Sequence, residues 1–466
     1  MDEAHFKQAD FLTVVPTAFP KANVVIGNPP YISLHNMQAS QRAAARAVMA
    51  NEEMAMNGRA SLWMYFVLHS LSFLQTAGRV AWILPGSFVY SEYSATIRTK
   101  IESCFSRSLA IMLEDRIFIS EGTEESSVVL LCEGYNTGEG EVMNLTSVKG
   151  LAELESTIAH WGLGAVVGSE WTGRPQLALA PLPAKEAYNR QLAIATSRRF
   201  GDFANVQIGI VTGANKFFVL NNKQAQKFNL ADSVLTPILA RFKQARGLEL
   251  SDADLQEMRD GGKRCMLVNT RGHVEMPAEL SAYLQTFSEE EKAKNSTFIR
   301  RSIWHQPGDG RKPDGFFSSM QTEGPVLVLN ASAATCTNTV YRVFFQQKVA
   351  LQIRQAIAIS LQSTFSQFSA EVEGRSYGHG ALKIEPSEAK RIAVIIPRRT
   401  QLEGVDAAFR EIDGALRAGD RAAARKRADT FLIEKGLISS LAVRTIEAGL
   451  KRLRHTRIGY RKDEVL

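Results

Sequence analysis

The chain has 466 residues, of which 45% are hydrophobic and 22% are charged. This composition excludes a disordered or fibrous protein, and the length predicts two compact domains rather than one. The excess of 55 Lys and Arg over 48 Asp and Glu gives a net charge of +7, which is compatible with a polyanionic partner.

Short apolar runs alternate with helix-like segments over residues 1–150, including a long helical segment that extends to about residue 75. This alternation predicts an α/β fold with a parallel sheet and crossover helices. The predicted strands are residues 11–15, 24–26, 80–84, 108–113 and 126–132. The last two are close enough in sequence to form an antiparallel hairpin at the edge of the sheet.

The pattern changes after about residue 150. Irregular stretches rich in Gly, Asn and Thr follow, with scattered apolar runs at 217–220, 326–329 and 393–396, and they predict a mixed α+β domain at residues 166–400. From 401 to 466 apolar residues recur at spacings of three and four, which predicts a helical extension. Its end is rich in Lys and Arg, and this run is equally compatible with a solvated helix face and with phosphate contact.

The motif Asn28-Pro29-Pro30-Tyr31 directly follows the predicted strand at 24–26. Ligands of open α/β sheets bind at the carboxyl ends of strands. There the amide oxygen of Asn28 and the carbonyl oxygen of Pro29 can accept hydrogen bonds from an exocyclic amine and make it more nucleophilic. The two prolines would hold these oxygens rigidly, and Tyr31 offers a face for an extruded base. A plain turn with Tyr31 packed in the core is the alternative.

This motif resembles the catalytic motif of S-adenosylmethionine (SAM)-dependent amino-methyltransferases of the gamma class. Nearly the full chain resembles type II restriction-modification adenine-N6 DNA methyltransferases, in which a target-recognition domain follows the catalytic domain. The resemblance implies methyl transfer from SAM to N6 of an adenine that is flipped out of double-stranded DNA. It also implies that residues 1–150 form an incomplete Rossmann-like methyltransferase domain and that residues 166–400 bind DNA.

Further positions match motifs of this family. Asp10 and Phe11 resemble the pair that binds the adenine of SAM, and Phe118 matches an aromatic residue that stacks on the flipped base opposite Tyr31. An ordinary strand start and a core phenylalanine are the structural alternatives. Loops in the second domain offer donors to phosphates and base edges. The DNA-binding residues expected there are Thr212, Asn215, Lys216, Trp304, Lys312, Asn338, Arg375 and Tyr377.

The sequence departs from the family before Asp10. Complete members carry a Gly-rich loop and an acidic residue there, which hold the methionine and ribose parts of SAM. The chain begins nine residues before Asp10 and has no equivalent loop elsewhere. We therefore expect a partner subunit that supplies this half, a truncation or a regulatory remnant. We also expect an exposed apolar edge on the strand near Asp10.

Two other functions are compatible with the sequence. The chain can be a catalytically inactive specificity protein that binds DNA through residues 166–400. It can also methylate a protein glutamine or an RNA, although the long second domain argues against this. We find no acidic and lysine constellation that would indicate a fused nuclease.

The cysteines and the apolar segments narrow the class further. The four cysteines lie far apart, with no Cys-x-x-Cys pair, which argues against a zinc site and a disulfide framework. The first residues do not resemble an export signal, and the apolar stretch from 62 to 74 is interrupted by His69 and Ser70. We expect a cytoplasmic protein with no metal and no membrane span.

Overall fold

The structure, a computed structural model, describes residues 8–51, 60–114, 127–272, 275–377 and 380–458. The chain divides into two compact units. One is formed by Met1–Ala180 with His455–Leu466, and the other by Pro181–Arg454. The domain boundaries expected from the sequence stay predictions.

A six-stranded mixed sheet forms the centre of the first unit. Its strands are β1 Ala22–Gly27, β2 Leu74–Pro85, β3 Phe105–Leu113, β4 Ser127–Tyr135, β5 Asn144–Val148 and β6 Ser169–Glu170. They lie in the order β1-β2-β4-β3-β5-β6, with β1 parallel to β2 and β4 antiparallel to both neighbours. The predicted antiparallel pairing of β3 with β4 is confirmed. Its predicted position at the edge is wrong, because β4 inserts between β2 and β3.

The strand predicted at residues 11–15 is also wrong. Phe11–Thr13 form one turn of 3-10 helix, and the carboxylate of Asp10 accepts a hydrogen bond from the backbone N–H of Leu12 at 3.1 Å. An aspartate that caps its own following residues competes with strand pairing. The first strand of the sheet is therefore β1, and the apolar edge expected near Asp10 is displaced to it.

Helices cover the two faces of this sheet unequally. The described residues of the unit form α1 Ala39–Asn51, α2 Leu62–Leu71, α3 Ser87–Tyr90, α4 Ala95–Cys104, α5 Leu151–Gly162 and α6 Pro175–Leu179. Successive residues of β3 and β4 point to opposite faces. One face packs into a large core that includes α2, whereas the other forms a small cluster with Trp161 of α5. The helix predicted to reach residue 75 ends at Leu71 because β2 begins at Leu74.

The second unit contains short strands in several small sheets. Its strands are β7 Ser197–Arg199, β8 Ala204–Ile208, β9 Val219–Leu220, β10 Leu235–Leu239, β11 Glu249–Leu250, β12 Met266–Val268, β13 Gly315–Ser318, β14 Met320–Gln321, β15 Leu327–Asn330, β16 Thr335–Cys336, β17 Val340–Phe345, β18 Arg375–Tyr377, β19 Ala381–Lys383 and β20 Ala393–Ile395. The larger sheets have the orders β16-β10-β12-β9 and β11-β15-β13-β17-β8. The strands predicted at 326–329 and 393–396 are confirmed as β15 and β20. The strand predicted at 217–220 is wrong for its first two residues, which end the helix Asn215–Phe218, and only Val219–Leu220 form a strand.

Helices lie between these strands and form the end of the described chain. They are α7 Leu182–Leu192, α8 Asn215–Phe218, α9 Asn222–Lys227, α10 Asp252–Asp260, α11 Ala278–Gln285, α12 Glu289–Lys294, α13 Ser296–Ile299, α14 Leu351–Gln362, α15 Thr364–Glu373, α16 Pro386–Arg391, α17 Val405–Arg417, α18 Arg421–Glu434 and α19 Ser440–Ile458. The helical pattern predicted after residue 401 is confirmed, because Phe409, Ile412 and Leu416 of α17 are all buried. None of the helices in the described parts of the chain is long and apolar enough to cross a membrane.

Charged groups fasten the C-terminal helices to the rest of the second unit. Arg417 of α17 pairs with Asp254 at 2.5 Å and with Asp413 at 2.7 Å. Arg454 of α19 pairs with the buried Glu371 at 3.1 Å. The guanidinium of Arg454 therefore belongs to an internal ion pair, which agrees with a structural role for this part of the basic C-terminal run.

A buried aspartate in α18 predicts a pH-dependent stability. Asp429 accepts hydrogen bonds from the N–H and the hydroxyl of Thr364 at 2.8 and 2.6 Å, and burial raises its pKa from 3.8 to about 6. The folded protein holds this proton more tightly than the unfolded chain does, so the contribution to stability is full below pH 4 and is lost as the pH rises to about 6. Each tenfold change in proton affinity corresponds to about 1.4 kcal/mol, so ionisation of Asp429 lowers the free energy of unfolding by at most about 3 kcal/mol.

We expect Asp429→Asn to remove this pH dependence, because the amide does not ionise. The measurement is the thermal unfolding midpoint of both proteins between pH 4 and 7. Relative to the variant, the natural protein loses stability between pH 4 and 6 and not above. Parallel pH profiles would contradict the assignment.

Candidate functional site

The loop Asn28–Tyr31 leaves the carboxyl end of β1. In the parallel pairing, Ile26 lies beside Ala81 and Gly27 beside Trp82 of β2. Asn28 and Pro30 are exposed, Pro29 is buried and Tyr31 is half-buried. The loop is thus anchored through Pro29 while the amide of Asn28 faces solvent at the sheet end where such folds bind ligands.

Backbone and hydroxyl hydrogen bonds fasten this loop on both sides. The carbonyl oxygen of Ile32 accepts from the N–H of Leu62 and from the hydroxyl of Ser61, both at 2.8 Å. The hydroxyl of Tyr31 donates to the carbonyl of Ile83 at 3.2 Å. Sequence reasoning missed Ser61. Its position before an apolar helix is typical of an N-cap, yet its side chain makes no cap hydrogen bond and binds the loop instead.

The ring of Trp82 sets how closely β1 approaches β2. A Cβ atom placed on Gly27 would lie 2.4 Å from Cζ3 of Trp82, well inside van der Waals contact. Only glycine therefore allows this approach immediately before Asn28. Trp82 lies in the strand predicted at 80–84, but nothing in the sequence indicates its contact with Gly27.

Phe11 packs among aromatic rings of the same core. Its ring centroid lies 5.4 Å from those of Phe66 and Phe73 and 5.1 Å from that of His69. Phe66 and His69 follow Leu62, whose N–H anchors the Asn28 loop, by four and seven residues, which is about 6 to 10 Å along α2. Helix α2 thus brings the Phe11 segment and the Asn28 loop together. The exposed Asp10 precedes that segment.

Phe118 lies outside the described residues, so its proposed position opposite Tyr31 stays a prediction. Among the described residues, Arg98 holds helix α3, which follows β2. Its guanidinium donates to the carbonyl of Phe88 at 2.6 Å and lies 4.7 Å from the centre of the Trp171 ring. Burial lowers the pKa of Arg98 to about 10, so it is charged at neutral pH.

The edge of the sheet at β1 is apolar and open. Within the described residues, β1 pairs with β2 alone. Val24 is 49% and Ile26 is 78% exposed. Parallel strands are normally buried on both faces, so an uncovered strand of this kind is unusual and invites association.

Four of the expected DNA-binding residues lie near one groove of the second unit. Asn215 and Lys216 are exposed and line it together with Thr337, the neighbour of the exposed Asn338. Thr212 is buried, and its hydroxyl donates to the side-chain oxygen of Asn215 at 2.5 Å. Thr212 therefore shapes the loop rather than facing solvent.

The other expected DNA-binding residues lie in different surroundings. Trp304 packs among aromatic rings, including Phe298 at 5.4 Å, and the guanidinium of Arg375 pairs with the fully buried Glu388 at 2.6 Å. Lys312 is exposed and borders a smaller cavity of about 110 Å³. Tyr377 ends β18, and its side chain lies outside the described part. Trp304 and Arg375 thus have structural roles, and DNA contact by any of these residues stays a prediction.

No group of three or more His, Cys, Asp and Glu side chains that could hold a metal ion occurs in the part of the chain that the structure describes. Three described cysteines are buried and Cys104 is half-buried, and all are free thiols.

Known families match most of the chain. The profile of the C-terminal domain of type II methyltransferase M.Eco57I matches residues 182–433, and that of the Eco57I restriction-modification methylase matches residues 2–117. The first match alone covers more than half of the chain. The protein is therefore a member of the Eco57I family of type II restriction-modification methyltransferases.

Individual relatives are distant and longer. Type II methyltransferase M.AccI from Acinetobacter calcoaceticus is 24% identical over 80% of this chain and 68% of its own length. Type II methyltransferase M.XamI from Xanthomonas campestris pv. amaranthicola is 22% identical over 79% of this chain and 66% of its own length. Among solved structures, the type IIL restriction-modification enzyme MmeI in complex with DNA has a TM-score of 0.45 at 10% identity, covering 93% of this chain and 57% of that one. The chain thus spans about two thirds of these curated relatives and little more than half of that solved structure.

We expect Gly27→Ala to destabilise the first unit by about 1 to 3 kcal/mol, because the new methyl group overlaps the ring of Trp82. The matched control is Gly138→Ala, where an added Cβ meets no atom within 4 Å. Calorimetric unfolding of both variants tests this. In a Trp82→Leu background the cost of Gly27→Ala should shrink, and an equal cost in both backgrounds would disprove the contact.

Proposed function

We propose that this chain supplies the target-base half of an enzyme that methylates N6 of adenine in double-stranded DNA, within a restriction-modification system. The observation that carries the proposal is the loop Asn28–Tyr31, which is rigidly held at the carboxyl end of β1 with the Asn28 amide exposed. Membership of the Eco57I family supports methylation of DNA as the general activity.

Asn28 and Pro29 hold the amine of the target base. The side-chain oxygen of Asn28 and the carbonyl oxygen of Pro29 accept hydrogen bonds from the two N–H groups and direct the nitrogen lone pair towards the methyl donor. The buried ring of Pro29 and the hydrogen bonds of Ile32 keep these oxygens in place, so little reorganisation is needed in the transition state. Neither oxygen is basic enough to take the proton that the amine finally loses, so that proton passes to water.

Tyr31 and Phe118 stack on the two faces of the adenine after it leaves the duplex. Stacking is worth about 1 to 3 kcal/mol per base and offsets part of the cost of flipping. The hydrogen bond from the Tyr31 hydroxyl to Ile83 fixes one end of its ring and supports this role.

The described residues fit only part of a SAM site. Phe11 is held by three rings beside the exposed Asp10, which suits the adenine of SAM. When bound, SAM supplies an electrophilic methyl group whose leaving group is a neutral thioether. We propose that protein beyond these 466 residues, in a partner subunit or a longer polypeptide, holds the methionine and ribose parts. The open edge of β1 and the greater length of the relatives support this division.

We expect Asn28→Ala to lower methyl transfer by about 10² to 10³, the cost of removing one preorganised hydrogen-bonding group. The matched control is Asn23→Ala, because Asn23 is exposed on β1, the strand that precedes the loop, and the substitution should leave the rate unchanged. The assay follows labelled methyl from SAM into mixed-sequence duplex DNA, with the protein encoded immediately upstream added. Equal rates for the two variants would contradict the role of Asn28.

The methylated nucleosides of the product identify the base. N6-methyladenine supports the proposal, whereas a methylated cytosine or labelled protein or RNA would overturn it. If DNA is bound but not methylated even with the added protein, the chain is instead a DNA-binding specificity protein.

We further expect Ile26→Lys to weaken association with the added protein without reducing the stability of this chain, because the residue is already 78% exposed. A buried lysine in the completed sheet would be costly. Analytical ultracentrifugation of the mixture measures association, and Leu163→Lys, at a residue that is 86% exposed, is the control. Unchanged association of Ile26→Lys would exclude β1 as the contact.

A further inference from the structure

A groove of about 900 Å³ lies at one end of the four-stranded sheet in the second unit. The carboxyl ends of β10 and β16 meet there, because Leu239 pairs in parallel with Cys336. The hydroxyls of Thr337 and Thr339 both donate to the carbonyl of Ala240, at 2.9 and 3.0 Å. These contacts fix the turn after β10, whose side chains form one wall.

Arg264 forms the junction between this turn and helix α8. Its guanidinium donates to the carbonyl oxygens of Val219 and Asn215 at 2.7 and 2.9 Å, and also to that of Lys216. Because three main-chain carbonyls bind one guanidinium, the start of α8 is held beside β12. Arg264 is therefore a positioning residue that keeps Lys216 at the rim of the groove.

The groove carries a surplus of positive charge. Its lining includes six basic and three acidic side chains. All three acids have partners of their own, and two of these partners are basic: Glu257 pairs with Arg246 and Asp254 with Arg417. Asp260 accepts a hydrogen bond from Gln256 at 2.9 Å.

Four of the basic residues are not neutralised in this way. These exposed residues are Lys216, Arg241, Lys243 and Lys263. Within the described residues none of the four makes an ion pair, whereas several arginines elsewhere in this unit do. Four unpaired cations around one concave surface generate a positive potential that attracts a polyanion.

We propose that this groove binds the sugar-phosphate backbone of duplex DNA and so sets the register of the recognition unit on its target. The inference rests on the proposed function and assigns the backbone contact to a particular surface. Phosphate contacts position a protein on DNA without reading sequence. Lys216, Arg241, Lys243 and Lys263 provide the charges, and the exposed amide of Asn215 provides a neutral donor.

The test is the salt dependence of binding to a mixed-sequence DNA duplex by the full chain. Each phosphate contact contributes about 0.9 to the slope of log affinity against log salt, so Lys243→Gln/Lys263→Gln should flatten the slope by about 1.8 and weaken binding at low salt. The control, Lys348→Gln/Lys426→Gln, removes two exposed lysines that are outside the groove and also lack ion pairs. Thermal unfolding checks that both double variants are folded.

A flattened slope in the groove variant alone supports the proposal. Equal slopes in both double variants, or no salt-dependent binding by the natural chain, would overturn it. Tighter binding of duplex RNA than of DNA through the same lysines would also overturn the choice of DNA. Asn28→Ala should keep the natural slope. If the natural chain methylates DNA but Lys243→Gln/Lys263→Gln keeps the natural slope, only the groove assignment is refuted. If the double variant flattens the slope but the natural chain methylates no DNA, only the proposed chemistry is refuted.

Discussion

The close approach of β1 to β2 over the ring of Trp82 is the contact on which the candidate site depends. Gly27 permits it, and the next residue is Asn28, whose amide therefore emerges at a fixed height above the sheet. Helix α2 completes the support, since its first residues bind the loop and its middle residues enclose Phe11. One apolar core thus holds both the loop and the Phe11 segment. The exposed side chains of Asn28 and Asp10 are therefore positioned by the buried residues next to them.

The same core is one-sided. A large cluster covers one face of the sheet, but the opposite face is covered mainly by Trp161 and its neighbours, and Ile26 lies uncovered at the β1 edge. A parallel strand with an exposed face and an edge that no other described strand pairs with is unfavourable in isolation. The loop Asn28–Tyr31 follows this strand, and the association proposed above would cover the strand at its edge.

In the second unit, cations divide into two groups with different physical roles. Arg375, Arg417 and Arg454 each bind buried or partly buried carboxylates, where loss of one partner would leave an uncompensated charge. Around the groove, Lys243 and Lys263 are exposed and have no such partner in the described part of the chain. Net charge and sequence motifs do not separate these groups. Arg375 was expected at the DNA on its motif, whereas Lys243 and Lys263 lie in no recognisable motif.

The sequence by itself determined the class of the protein, the strand before Asn28 and the motif, because short-range apolar patterns and a rigid Asn-Pro-Pro-Tyr turn are local properties. It also predicted that β3 and β4 pair, since they are close along the chain. Tertiary structure decided the rest. The insertion of β4 beside β2, the contact of Trp82 with Gly27 and the capture of Ile32 by Ser61 join residues far apart in sequence. Their energies come from packing and hydrogen bonds that no local pattern encodes.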